Sequence, residues 1–296
     1  MTLIDGKNID INIMDDQNQM SQSNQQEEIN IDNLKYSDAA KYFEAATFIT
    51  QPFVETTNTG WGVRAVWTPQ GLPYMGAELR FDEGKGTEEQ ISDRFRIFIF
   101  RDGRATIQIE DEAGNMVTKQ METDLGYRIE KGQRYSIHAD NVSRILEAAM
   151  PSPDEGEVRR ENFQSQEYVA RIGKPWGYEL HFGQEGNPLM AKILHINEGD
   201  RLSEKAHRVK TESYWMLSGT CNMIMENSSR ELATFQLEYD KGYTTNVGQR
   251  HRQHGATDCE VFEVSTPERG KTWRIQDDYE RPDETDAQRK LERGQL

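Results

Sequence analysis

Cysteine is scarce in this sequence, with only Cys221 and Cys259 among 296 residues. Two cysteines cannot build the framework that staples small secreted domains, so a reducing compartment is the expectation. No stretch approaches the roughly 18 consecutive apolar residues of a membrane span, and no membrane partner is expected. The opening MTLIDGKNIDINIMDD carries acids where a secretory signal carries a basic and then an apolar region, which points to the cytoplasm. Basic residues are also short. The 35 Lys and Arg against 51 Asp and Glu leave a net charge of −16, a balance that argues against nucleic acid, whose binding needs clustered cations.

The length is about twice that of an ordinary domain, so two domains plus a tail are expected. Residues 1–33 form a polar acidic tail, rich in Asn, Gln, Asp and Glu, whose composition cannot offset chain entropy by burial. Within it Ile9, Ile11 and Ile13 alternate with polar residues, the pattern of a strand that could join a neighbouring subunit. A homodimer or larger homo-oligomer is the corresponding expectation. Ser37 is placed to cap a short helix through DAAKYFEAATF, and the mixed charges of residues 283–296 read as a solvated terminal helix with Asp283 as a possible cap.

Between these ends the chain repeats itself. GWGVRAVWTPQGLPYMGAELRFDEG from Gly60 matches PWGYELHFGQEGNPLMAKILHINEG from Pro175, pairing Trp61 with Trp176 and Gly84 with Gly199 at an offset of 115. After a one-residue slip the offset becomes 116, pairing Gly103 with Gly219 and GYRIEKGQRY with GYTTNVGQRH. Each copy shows short alternating strands such as FRIFIF, ATIQIE and CNMIME, separated by turn residues, with no long helical period. An all-β chain of two tandem jelly-roll barrels with short helices follows. The expected boundaries are a first barrel over 34–153, a linker over 154–173 and a second barrel over 174–282.

The second copy carries the chemistry. GDRLSEKAHRVKTESYWMLSG and GYTTNVGQRHRQH resemble the two cupin motifs, in which one hairpin supplies metal ligands and a facing strand supplies a His. WGYEL, KILHINEG, RLS, HRVKTE, LSGT, FEVSTPE and RIQDDYERP resemble the cupins described as similar to mannose-6-phosphate isomerase. Alternation along a strand turns Lys205, His207 and Val209 to one side and Glu204 and Arg208 to the other. The resemblance then implies His207, Glu212 and His251 as ligands of one divalent transition metal, Zn, Mn, Fe or Co. Lys205 departs from the motif. A protonated lysine cannot ligate, so Lys205 either weakens the metal or serves as a base. Lys192 and Glu204 are the other base candidates. Arg201, with inward parity near the barrel mouth, and Gln249 and Gln253, beside His251, are substrate-binding candidates; Arg250 and Arg252 are expected to face outward.

In the first copy His251 corresponds to Tyr135, Glu212 to Arg96 or Ile97, and His207 to Ser92 or Ile91. That barrel is expected to lack metal chemistry. The resemblance implies a sugar-phosphate isomerase or epimerase acting on a carbohydrate. A non-catalytic sugar-binding or assembly bicupin and an Fe(II)-dependent oxygenase are the alternatives.

Overall fold

Alternating strands and turn glycines form four antiparallel sheets in the computed structural model, which describes residues 29–151, 167–183 and 186–292. In the first copy a seven-stranded sheet runs in the order Glu55–Thr59, Gly62–Val66, Met75–Phe81, Ser143–Ala149, Arg96–Asp102, Gly126–Ile129 and Glu167–Tyr168. It faces a four-stranded sheet of Gln90–Ile91, Arg134–Ala139, Ala105–Glu110 and Met116–Gln120. The second copy repeats this plan. Its six-stranded sheet is Ala170–Lys174, Gly177–His181, Met190–Ile196, Cys259–Ser265, Glu212–Ser218 and Gly242–Thr245. Its five-stranded sheet is Leu232–Gln236, Cys221–Glu226, His251–Gly255, Glu204–His207 and Thr272–Gln276. Among the described residues the last of these has no counterpart in the first copy.

The paired glycines show why the repeat is legible. Gly103 and Gly219 have φ of +95° and +73°, and a Cβ would lie 2.4 Å from the Val142 carbonyl oxygen in one copy and 2.1 Å from that of Asp258 in the other. Only glycine meets both demands.

Each barrel fills its lumen with one side of its strands. Leu79, Phe98, Ile107 and Ile137 pack in the first, and Leu194, Tyr214, Met223 and Val261 in the second. The opposite sides of the two larger sheets share a further core, where Trp67 stacks on Trp215 with ring centroids 5.8 Å apart. No helix among the described residues is long and apolar enough to cross a membrane.

Several expectations change at the edges. Ser37 caps no helix: Tyr36–Ala39 is a single helical turn whose N-cap residue is Lys35, followed by short 3-10 turns. This segment belongs to the second barrel, since Tyr36 and Ala39 pack on Ala206 and Trp273. Part of the linker stretch is paired strand, with Glu167–Tyr168 on the first copy's sheet and Ala170–Lys174 on the second's. Asp283 accepts the Arg274 backbone N–H at 2.9 Å, whereas Thr285 and Gln288 form the capping box of the terminal helix Asp286–Glu292. Ile9, Ile11 and Ile13 lie outside the described residues.

Candidate metal centre

Strand register decides the site. Lys205 pairs with His251, and the strand Glu212–Ser218 lies in the facing sheet. His207, Glu212 and His251 thus converge in the lumen, with their ligand atoms all within 4.8 Å of one another. Glu212 and His251 are fully buried and His207 nearly so. Both imidazole Nε2 atoms approach Glu212 Oε2, at 3.0 Å for His207 and 2.8 Å for His251. Neither makes a properly directed hydrogen bond. The Nδ1 atoms are occupied: that of His251 donates to the Gln249 carbonyl at 2.9 Å, and that of His207 meets Thr272 Oγ1 at 2.9 Å. With Nδ1 of His251 protonated, its Nε2 presents a lone pair. Two imidazole nitrogens and a carboxylate gathered at one point fit a divalent transition metal.

Lysines surround this donor set. Lys205 Nζ lies 3.5 Å from Glu212 Oε1. Lys210 Nζ donates to Glu212 Oε1 at 2.5 Å and to Glu263 Oε1 at 2.8 Å, and the Tyr214 hydroxyl donates to Glu212 Oε2 at 2.5 Å. Burial pushes His207 down to about 3, aided by Lys205 and Lys210 and opposed by Glu212. Burial pushes Glu212 upward, but His207, Lys205 and Lys210 more than offset it, so the carboxylate sits well below its ordinary range. Since His207 is neutral at pH 7, the lysines are the charges that matter. Burial also opposes the Lys210 charge, and Glu212, Glu263 and Glu268 hold its pKa well above normal.

His207 and Lys205 open onto a cavity that extends past Lys192, His181 and Glu179. Lys192 is tied to Glu268 and lies 3.7 Å from Glu179. Burial lowers the Lys192 pKa, but Glu268 and Glu179 outweigh it and keep the ammonium charged. Eight of the twenty lining residues are Lys or Arg, against four Glu.

Other candidates fall elsewhere. Glu204 turns from the lumen to within 3.6 Å of Arg250. Arg201 is exposed and pairs with Asp278, away from the cavity. Gln249 is consumed by the fold, donating to the Glu226 carbonyl at 2.7 Å and the Ile49 carbonyl at 3.1 Å. Gln253 is fully buried and does not line the cavity, and neither of its amide atoms has a hydrogen-bond partner. Arg252 does not face outward: it is buried, donating to the Leu202 carbonyl at 2.5 Å and Asp278 at 2.7 Å. Val209 is 46% exposed because the strand ends at His207 and alternation lapses there. Lys210, which sequence reasoning missed, takes the inward place. Residues 208–211 lie between strands, with a bend at 208–209, so alternation gave no signal for it.

The same geometry occurs in the first barrel with different chemistry. Gln90 pairs with Tyr135 as Lys205 pairs with His251, which aligns Ser92 with His207, and Arg96 pairs with Ala149 as Glu212 pairs with Ser265, which aligns Arg96 with Glu212. Arg96 donates to Ser92 Oγ at 3.0 Å and Glu147 Oε1 at 2.8 Å, and its guanidinium carbon lies 5.5 Å from the Tyr135 ring centroid.

Known structures show the same architecture. The oxalate decarboxylase of Lactobacillus farciminis, in its formate complex, superposes with a TM-score of 0.58 at 12% identity, covering 84% of this chain and 89% of that one. AerE from Microcystis aeruginosa gives 0.57 at 12%, covering 75% and 99%. The chain has a bicupin fold. Bacillus subtilis oxalate decarboxylase, a structure described for its Mn(II) centres, is another such bicupin, with 0.57 at 11% identity and coverage of 83% and 79%. No protein-family model matches the sequence, and no curated protein does. At these identities the bicupin likeness speaks for fold.

Proposed function

We propose that this bicupin binds one divalent transition metal through His207, Glu212 and His251 and acts on a small anionic substrate in its C-terminal barrel. One observation carries the metal reading: two buried Nε2 atoms without hydrogen-bond partners beside a buried carboxylate. Such groups cost about 1–3 kcal/mol each when left unsatisfied, and a cation would satisfy them together. The anionic substrate follows from the cavity. A chain of net charge −16 that gathers twice as many cations as acids around one cavity focuses a positive potential there.

When bound, the metal would hold adjacent substrate oxygens and stabilise negative charge on them. Lys192 and Lys210 are held in their charged forms by carboxylates and serve binding. Lys205 lines the cavity beside Glu212 and is the group for moving a proton at the neighbouring carbon. A sugar phosphate, or an oxo or hydroxy acid, carries the oxygens and charge that this arrangement takes. Isomerisation of a sugar phosphate is the finer reading for this site.

A second reading rests on Lys210, which already neutralises Glu212 without an ion. On it the barrel is a metal-free binding module. Elemental analysis after chelation and reloading with Mn(II), Co(II) or Zn(II) separates the two. The expected content is about one metal per chain, falling to near zero in His251→Ala. Two equivalents would break the one-site assignment, and none would leave the binding module.

A further inference from the structure

Part of the cavity lining comes from residues that follow the repeat. After the edge strand Thr272–Gln276 the chain turns back, bridges Glu284 to Thr272, and begins the helix Asp286–Glu292. Arg281, Glu284 and Arg289 of this segment line the same cavity as His207 and Lys205. The mixed charges read as a solvated helix, yet Arg289 is only 5% exposed.

The donors of Arg289 are unequally used. Nη2 donates to the Gly270 carbonyl and to Asp286 Oδ1 at 2.6 Å, and Nη1 lies 3.5 Å from Glu284 Oε1. Glu284 is shared with Arg274, which donates to it at 2.8 Å. Nε of Arg289 is buried without a partner. A guanidinium is a planar fork matched to carboxylate and phosphate oxygens, and an anion at that edge would satisfy the orphaned N–H.

We propose that Arg289 is a specificity-determining residue that takes the anionic group of the substrate, a carboxylate or a phosphate, in the cavity that the terminal segment helps to line. The inference rests on the anionic-substrate reading above and is independent of the metal. It also transfers to Arg289 the substrate-binding role that parity assigned to Arg201.

Calorimetric titration of the full chain with inorganic phosphate and with oxalate tests it, on Co(II)-loaded and on chelator-treated protein. At least one anion is expected to bind, about tenfold or more weakly to Arg289→Gln, with cobalt content unchanged. Arg289→Lys, which keeps the charge without the fork, should fall between and serves as the comparison if Arg289→Gln does not fold. Preference between the probes separates a phosphate from a carboxylate site. If cobalt binds but Arg289→Gln binds both anions within about twofold of the parent, the inference falls and the metal reading stands. If no cobalt binds but the arginine variant still loses the anion, the reverse holds. Failure of the parent protein to bind either anion overturns the proposal.

Discussion

The two barrels bring the same three positions together and fill them in opposite ways. In the first, Arg96 puts a covalently attached cation in the lumen, bonded to Ser92 and to the buried Glu147. In the second, Glu212 takes the Arg96 position and two imidazoles face it with unpartnered nitrogens. Glu147 has its own repeat partner in Glu263, which accepts from Lys210. Each lumen thus needs positive charge beside a buried carboxylate. The first carries it in its own side chains, whereas the second combines lysines with a donor set that suits an ion. The register of the barrel is therefore separable from the chemistry it hosts.

The largest effect that would test this contrast is the removal of the built-in cation. Arg96→Leu leaves Glu147 with Arg64 as its remaining direct ion-pair partner. Stability should fall by about 3 kcal/mol in denaturant unfolding. The double variant Arg96→Leu/Glu147→Leu should recover most of that loss, because well-packed apolar residues replace buried pairs at little cost. Unchanged stability in the single variant would show that Arg96 does not hold the first lumen together.

A smaller effect is expected at Lys205, whose ammonium lies near Glu212 and opposes a divalent ion. Lys205→Gln should tighten Co(II) or Mn(II) binding about tenfold, or about 1.4 kcal/mol. Turnover, where a substrate is found, should drop if Lys205 moves the proton. Equal affinity in both proteins would mean that Lys205 does not act on the metal position.

The smallest contrast concerns acid. His207, pushed down to about 3 chiefly by burial, stays neutral where the unfolded chain takes up a proton near 6.5. Its contribution is present above pH 6.5 and is lost as pH falls toward 3. In the first barrel the depressed groups are carboxylates. Burial opposes the Glu147 charge, but Arg64 and Arg96 prevail; at Asp93 the bond from Arg94 brings the value to about 2. Their contribution is lost only below the ordinary carboxylate range, near pH 4. In metal-free protein, methyl NMR signals of Met223 and Met225 should therefore shift at higher pH than those of Ile107 and Ile137. Coincident midpoints would erase the distinction.

Much of this was legible from residues alone. The repeat, the strands and the approach of His207, Glu212 and His251 depend on period-two alternation and on glycines that backbone contacts demand, both local properties of the chain. The one-residue slip stayed ambiguous until strand pairing aligned Ser92 and Arg96 with His207 and Glu212, because register is a relation between distant strands. Only tertiary structure turned Lys210 inward where its strand had ended, sent Arg201 to the surface, and brought Arg289 from a polar terminal helix into the cavity. Alternation says nothing beyond a strand's last residue. The burial of Lys210 and Arg289 was decided by the carboxylates that folding placed against them.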